Sequence, residues 1–193
     1  MTSTSTSPQP SKPETIAVIA HGRIDVRPAV ERVYRVAAES GVGVVEEPAE
    51  ADLTVAVGGD GTILRTLARL LGTGVPVIGV NFGRVGFLAS IAPEALERDL
   101  ARVFASEYRV VELPTLDVKL DGERHVAVND VVATSAILGR MVELTYAVGG
   151  EDLGTIPCDG MICSTPSGST AYNLSNGGPV LVQIGRASCR ERV

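Results

Sequence analysis

The sequence predicts an α/β N-terminal domain built on a parallel sheet, followed by an all-β sandwich domain that is left incomplete. Up to about residue 112, short apolar runs at Ile16 to Ala20, Leu53 to Val57 and Val75 to Val80 alternate with helical stripes, the pattern of strand-helix-strand units. Beyond Leu113-Pro114 the period becomes strict alternation, as in Leu116, Val118 and Leu120, and helical stripes disappear. Between these signals lies a glycine-rich turn, Gly58-Gly59-Asp60-Gly61-Thr62, which links an apolar strand to a helix.

Taken in order, Met1 to Pro13 is a Ser, Thr and Pro segment expected to form a disordered tail. The α/β domain is expected over residues 14–112. Its first strand ends at His21-Gly22-Arg23, the strand end where open α/β sheets place ligands. Pro28 suits a first helical turn, Val30, Val33, Tyr34 and Ala37 form the apolar stripe, and Gly41 is placed to cap the helix. Ile63, Leu67, Leu70 and Leu71 mark a second helix, and Leu96, Leu100, Val103 and Phe104 a third. In the β domain, expected over 113–182, Asp121-Gly122 and Gly149-Gly150 are hairpin turns. Val131 to Thr134, Met141 to Val148 and Asp152 to Ile156 are strands, too few to close a sandwich.

Composition narrows the chemistry. The 193 residues suffice for one sizeable core or two small ones. A net charge of -6 and 4% aromatics with no Trp argue against nucleic acid as a partner. No apolar run approaches a membrane span, and no signal-peptide core is visible. Cys158, Cys163 and Cys189 are an odd set without metal-ligand spacing, which favours a reducing, cytoplasmic setting. With only His21 and His125, a His-rich metal site is excluded.

Three stretches carry chemistry. In the glycine turn, the backbone is open to close approach and the following helix presents unpaired N–H groups, so a phosphate is well placed there. An aspartate at the centre of an anion site calls for a bridging cation or a hydroxyl whose proton must be taken. Neither G-x-G-x-x-G nor G-x-x-x-x-G-K-[ST] occurs, so a merely tight strand-to-helix turn is the competing account. Asn129-Asp130 offers paired acceptors suited to ribose hydroxyls, or an ordinary strand-end turn. The run from Cys158 to Pro179 is dense in hydroxyls and glycines, donors that a nucleotide requires; Ser167 and Ser169 lie outside a G-x-S-x-G elbow.

Gly58 to Thr62, Asn81 to Leu88, Asn129-Asp130 and Asp159 to Pro179, in this order, resemble the NAD kinase family. The run Ser164-Thr165-Pro166-Ser167-Gly168-Ser169-Thr170-Ala171-Tyr172 is the most specific of these blocks. The resemblance implies phosphoryl transfer from ATP or polyphosphate to the 2′-hydroxyl of the adenosine ribose of NAD, with a nucleotide cleft between the domains. It implies Asp60 as general base, Gly61 beside it on the dinucleotide and Arg65 towards phosphate. Asn129 and Asp130 would bind the adenosine part, Asp130 standing where many relatives have Glu. Arg140 would contact substrate, Asp159 would face the nicotinamide end, and Thr170, Ala171, Tyr172 and Ser175 would line the adenine and ribose pocket. A divalent metal, magnesium, would accompany the donor, with no dedicated protein ligand set, and the full-length protein would be a homodimer or homotetramer.

Residues 183–193, with Arg186, Arg190 and Arg192, fit neither helical nor strand periodicity. They are expected to be a non-native tail on a C-terminally truncated gene, leaving the activity of the chain itself open. Two other functions compete: a diacylglycerol-kinase-like lipid kinase, which shares the glycine-aspartate turn, and a non-catalytic nucleotide-binding module.

Overall fold

The computed structural model describes residues 11–22, 25–82, 88–137 and 139–182. Most of the N-terminal tail, the loop residues 83–87 and the C-terminal residues 183–193 therefore lie outside it. The chain divides into two compact units, Met1–Glu112 and Leu113–Val193.

The first unit is a parallel sheet of order β2-β1-β3-β4, formed by β1 (Thr15–Ala20), β2 (Gly43–Val44), β3 (Leu53–Gly58) and β4 (Val77–Asn81). β3 is buried along its whole length. That matches its unbroken apolar run, because an interior strand of a parallel sheet is covered on both faces. Helices α1 (Arg27–Glu39) and α3 (Leu96–Phe104) pack Val33, Val36, Leu100 and Phe104 into one core with Ile16, Val55, Val57 and Val80. Helix α2 (Asp60–Arg69) lies against β3 and β4, its Ile63 pressed onto Gly79, where an added Cβ would overlap the isoleucine side chain. Gly41 follows α1 with φ +67°, the left-handed geometry of a helix C-cap.

Three expectations shift. Tyr34 is 42% exposed, since α1 buries Ala29, Val33, Val36 and Ala37 and turns Tyr34 to its flank. Leu71 is 41% exposed because α2 ends at Arg69; the inward face is Thr62, Ile63, Thr66 and Leu70. Thr66 is tolerated there because its hydroxyl donates to the Thr62 carbonyl at 2.8 Å. Pro13, assigned to the tail from the sequence, is fully buried; residues 1–10 of that tail are outside the described residues.

The second unit contains antiparallel strands: β5 (Leu116–Leu120) with β6 (Glu123–Ala127), β7 (Asp130–Thr134) with β10 (Gly160–Ser164), and β8 (Val142–Val148) with β9 (Glu151–Cys158). Both hairpin turns use positive φ at two successive residues, Asp121 (50°) with Gly122 (85°) and Gly149 (60°) with Gly150 (88°), which matches the twist of the flanking strands. β10 falls inside the stretch that the sequence presents as loop, because Gly160 and Ser164 leave just three apolar residues between them. Each ladder pairs only two strands. Leu120, Leu153, Ile156 and Met161 are accordingly 44 to 62% exposed, and among the described residues of this unit Val128 alone is a buried apolar side chain.

Glu97 ties two helices of the first unit by ion pairs. Arg32 of α1 grips Glu97 of α3 through two bonds of 2.6 Å and also donates to the Pro93 carbonyl at 2.9 Å. The Arg32 hydrogen bond holds the Glu97 carboxyl at about 2 against an ordinary 4.5. A carboxylate with a depressed folded pKa stabilises above its unfolded value, and that contribution is lost as pH falls through the folded one. The urea midpoint of the wild type should therefore drop between pH 4.5 and 2. Glu97→Gln should start lower at neutral pH and lose less across that window; parallel curves would mean that the pair contributes nothing.

Candidate functional site

In the first unit, three parallel strands end flush. Register pairs Ala20 with Val57 and Gly58 with Asn81, so the residues that follow β1, β3 and β4 share one edge. His21 donates its backbone N–H to Val57 O at 2.9 Å, and Phe82 does the same to Gly58 O at 3.0 Å. At this edge Gly58 is where two neighbours close in. An added Cβ would overlap the Thr62 hydroxyl, stand 2.9 Å from Thr62 Cβ and 3.2 Å from His21 Cβ. Glycine here lets α2 begin immediately after the strand.

That start places Asp60 at the first position of α2, with Gly59 as N-cap in extended geometry. Thr62 and Ile63 turn their N–H groups back to Gly59 O at 2.8 and 3.3 Å. The Gly61 amide makes no hydrogen bond among the described residues, and a Cβ on Gly61 would meet open space. The first turn therefore offers a donor, the positive end of the helix dipole and a half-buried carboxylate side by side. Asp60 Oδ1 also accepts from Leu88 N at 3.4 Å, so the chain returns to the aspartate after the loop at 83–87, which is outside the described residues. Arg65 is exposed one turn further along α2.

An open hollow of about 620 Å³ lies at the end of β1, lined by residues that include His21, Gly22, Asp25, Arg27 and Glu31, and not by Asp60. Its Asp25 is bound to Arg27 at 2.9 Å, and this arginine holds the carboxyl down to about 2. A carboxylate so satisfied is a poor proton acceptor near neutral pH.

In the second unit, Asn129 immediately precedes β7 and Asp130 opens it. The hydroxyl-rich run folds over them: after β10 the chain makes a 3-10 turn at Gly168–Thr170 and a short helix α4 (Tyr172–Ser175). Thr165 N donates to Asn129 O at 2.8 Å, and Gly168 lies so close that an added Cβ would be 2.6 Å from Asn129 Cα. The Asn129 Oδ1 atom is buried and has no hydrogen-bond partner among the described residues. Thr170 and Ser175 spend their protons on backbone, Thr170 on Ser167 O at 3.2 Å and Ser175 on Tyr172 O at 2.9 Å. Much of the hydroxyl content that reads as ligand donors is thus internal bracing, and their free lone pairs remain as acceptors. Ala171 and Tyr172 are exposed beside them.

Asp159 and Arg140 are placed elsewhere. The β7–β10 register pairs Asp130 with Ser164 and Thr134 with Gly160, which sets Asp159 roughly 17 Å along the ladder from Asp130 at the usual rise per residue. Asp159 O accepts from Thr134 Oγ1 at 3.0 Å, and exposed Arg140 sits in the connection that follows Thr134. The structure therefore groups Asn129, Asp130 and the 165–175 segment, and separates Asp159 and Arg140 from them. Thr165 and Gly168, which hold this group together, stand out in the sequence only as part of a motif. A buried threonine carries no periodic signal, and a glycine's need for contact space is visible only once its neighbour is known.

An α/β unit with a glycine-aspartate turn at the C-terminal edge of its sheet, continued by an antiparallel unit, defines a two-domain class of α/β-plus-β proteins. The chain belongs to the ATP-NAD kinase family: residues 4–108 match the ATP-NAD kinase N-terminal domain and residues 128–183 the ATP-NAD kinase C-terminal domain. An NAD kinase of Bacteroides fragilis is 38% identical over 138 residues, covering 69% of this chain and 47% of the relative. One from Thermomicrobium roseum is 39% identical over 175 residues, covering 85% and 60%. The chain thus spans about half the length of the curated relatives it matches. Among solved structures, an NAD kinase from Archaeoglobus fulgidus in complex with ATP superposes with TM-score 0.77 at 30% identity, over 89% of this chain and 68% of that one. Yeast NADH kinase complexed with NADH gives 0.73 at 23% identity, over 92% of this chain and 67% of that one, and shares the fold.

The Gly58 contact can be tested directly. Gly58→Ala should cost about 1–3 kcal/mol by denaturant unfolding, the usual range for an overpacked site. Thr62→Ala added to it should return much of that loss, because the two side chains collide. Additive losses would show that the helix start does not depend on this approach.

Proposed function

We propose that the protein is an NAD kinase, transferring a phosphoryl group from ATP or polyphosphate to the 2′-hydroxyl of the adenosine ribose of NAD to give NADP. The observation that carries this is Asp60 at the first position of α2, beside a Gly61 amide that makes no hydrogen bond among the described residues, at the C-terminal edge of the sheet. In this reading Asp60 accepts the proton of the 2′-hydroxyl, the freed oxygen attacks the terminal phosphorus of the donor, and the bond to the departing phosphate chain breaks. Gly61 N–H and the helix dipole hold a phosphate oxygen, and exposed Arg65 adds positive charge one turn away. Asn129, Asp130, Thr170, Ala171, Tyr172 and Ser175 take the adenosine part; Asp159, set apart along the ladder, takes the nicotinamide end, with Arg140 on the same side.

Among the described residues no group of three His, Cys, Asp or Glu stands together. This fits a magnesium ion that keeps most of its waters and enters on the donor phosphates, with a protein carboxylate such as Asp60 as its partner. When bound, that ion supplies neutralisation of the phosphate oxygens. Among the described residues no helix is long and apolar enough to cross a membrane, and Cys158 and Cys163 are free thiols. We take the protein to be a cytoplasmic enzyme, and a homodimer or homotetramer. The lipid-kinase alternative shares the glycine-aspartate turn but gives no account of the C-terminal match at 128–183.

The test is NADP formation from NAD, ATP and magnesium. Product supports the kinase; NAD binding without product supports a non-catalytic module. Asp60→Asn should lower kcat by roughly 100- to 10,000-fold, the usual worth of a general base, with KM for NAD nearly unchanged. An equal fall in binding and turnover would remove Asp60 from that role.

A further inference from the structure

We propose that Thr165, with Gly168, is a positioning residue that sets Asn129 for nucleotide binding; the proposal rests on the reading of Asn129 as a nucleotide ligand. Thr165 is 2% exposed, so it does not meet a ligand itself. Its hydroxyl donates to Val128 O at 2.8 Å, with Asn129 O also in range at 3.1 Å. It receives Gly168 N–H at 3.0 Å and stands 3.0 Å from Ser167 Oγ. One proton given and two accepted fill the capacity of a hydroxyl, so Ser167 is the donor in the last pair. Thr165 N adds a bond of 2.8 Å to Asn129 O.

The result is a clamp on the peptide that carries Asn129. Thr165 fixes the carbonyls of Val128 and Asn129 from one side. Gly168 closes against the backbone of Asn129, where any Cβ would overlap its carbonyl and stand 2.6 Å from its Cα. These are main-chain atoms, which do not swing aside as a flexible side chain would. Asn129 also retains a buried side-chain oxygen without a partner among the described residues, a costly arrangement that the surroundings must enforce. Losing the clamp frees the backbone at the strand entry and lets the side-chain amide relax away from its set orientation. Binding precision is lost although no ligand contact is deleted.

The experiment measures the Kd for NAD by calorimetry alongside the thermal midpoint, on the chain and on four variants. Thr165→Val should raise Kd about tenfold, the size of one or two hydrogen bonds, while Thr165→Ser should restore it to near the wild-type value. Thr165→Val combined with Asn129→Ala should bind no worse than Asn129→Ala alone, because the threonine acts through the asparagine. A merely destabilising change would lower the midpoint and leave the Kd of the folded fraction alone. Should Thr165→Val not fold, Ser167→Ala carries the same test with an expected rise of about threefold. Unchanged Kd in a folded variant, or losses that add to those of Asn129→Ala, would overturn the proposal. No NAD binding by the unsubstituted chain would instead overturn the nucleotide reading, and the proposal with it.

Discussion

The sheet edge that carries Asp60 depends on the parallel pairing of β3 with β1 on one side and β4 on the other. Each pairing is continuous over five residues, Ile16 to Ala20 on Leu53 to Val57 and Thr54 to Gly58 on Val77 to Asn81. Side chains alternate between faces along a strand, so a slip of one residue would turn β3 over and move His21 and Asn81 away from the glycine turn. Burial of β3 on both faces makes that slip costly. The core formed by Val55, Val57, Ile16 and Val80 with α1 and α3 is therefore what keeps the strand ends flush and lets Asp60 begin a helix where an anion can reach it.

The electrostatics of this edge are local. With a formal net charge of -6, the protein as a whole repels anions. Positive potential at this edge consequently comes from a few oriented groups, the first-turn amide at Gly61, the helix dipole and Arg65, acting over distances shorter than the screening length. Much of the remaining charge in the first unit is spent on pairs, Arg27 with Asp25, Arg69 with Glu47, and Arg32 and Arg35 with Glu97.

In the second unit the balance between packing and hydrogen bonding is reversed. Its two-stranded ladders leave apolar side chains such as Leu153 and Ile156 half exposed, so the local order around Asn129 comes from hydrogen bonds. Thr165 and Ser169 are almost fully buried polar residues, and Ser169 Oγ links Pro166 O at 2.7 Å to Leu181 N at 2.9 Å. Small hydroxyl residues do what larger apolar residues do in the first unit: they hold a turn against a strand. The same residues make the segment look like a ligand loop in sequence.

The sequence by itself determined the alternation of strands and helices up to residue 112, the switch to antiparallel strands beyond it, the positive-φ turns at Asp121-Gly122 and Gly149-Gly150, and the glycine-rich strand-to-helix turn at Asp60. These follow from periodicity, glycine and turn chemistry, which act over a few neighbouring residues. Tertiary structure alone decided which side of α2 faces inward, that Gly160–Ser164 is a strand, that Asp159 stands apart from Asp130, and that Thr165 and Gly168 grip Asn129 from more than thirty positions away. Such contacts depend on register and close approach between distant segments, and no short window of sequence contains both partners.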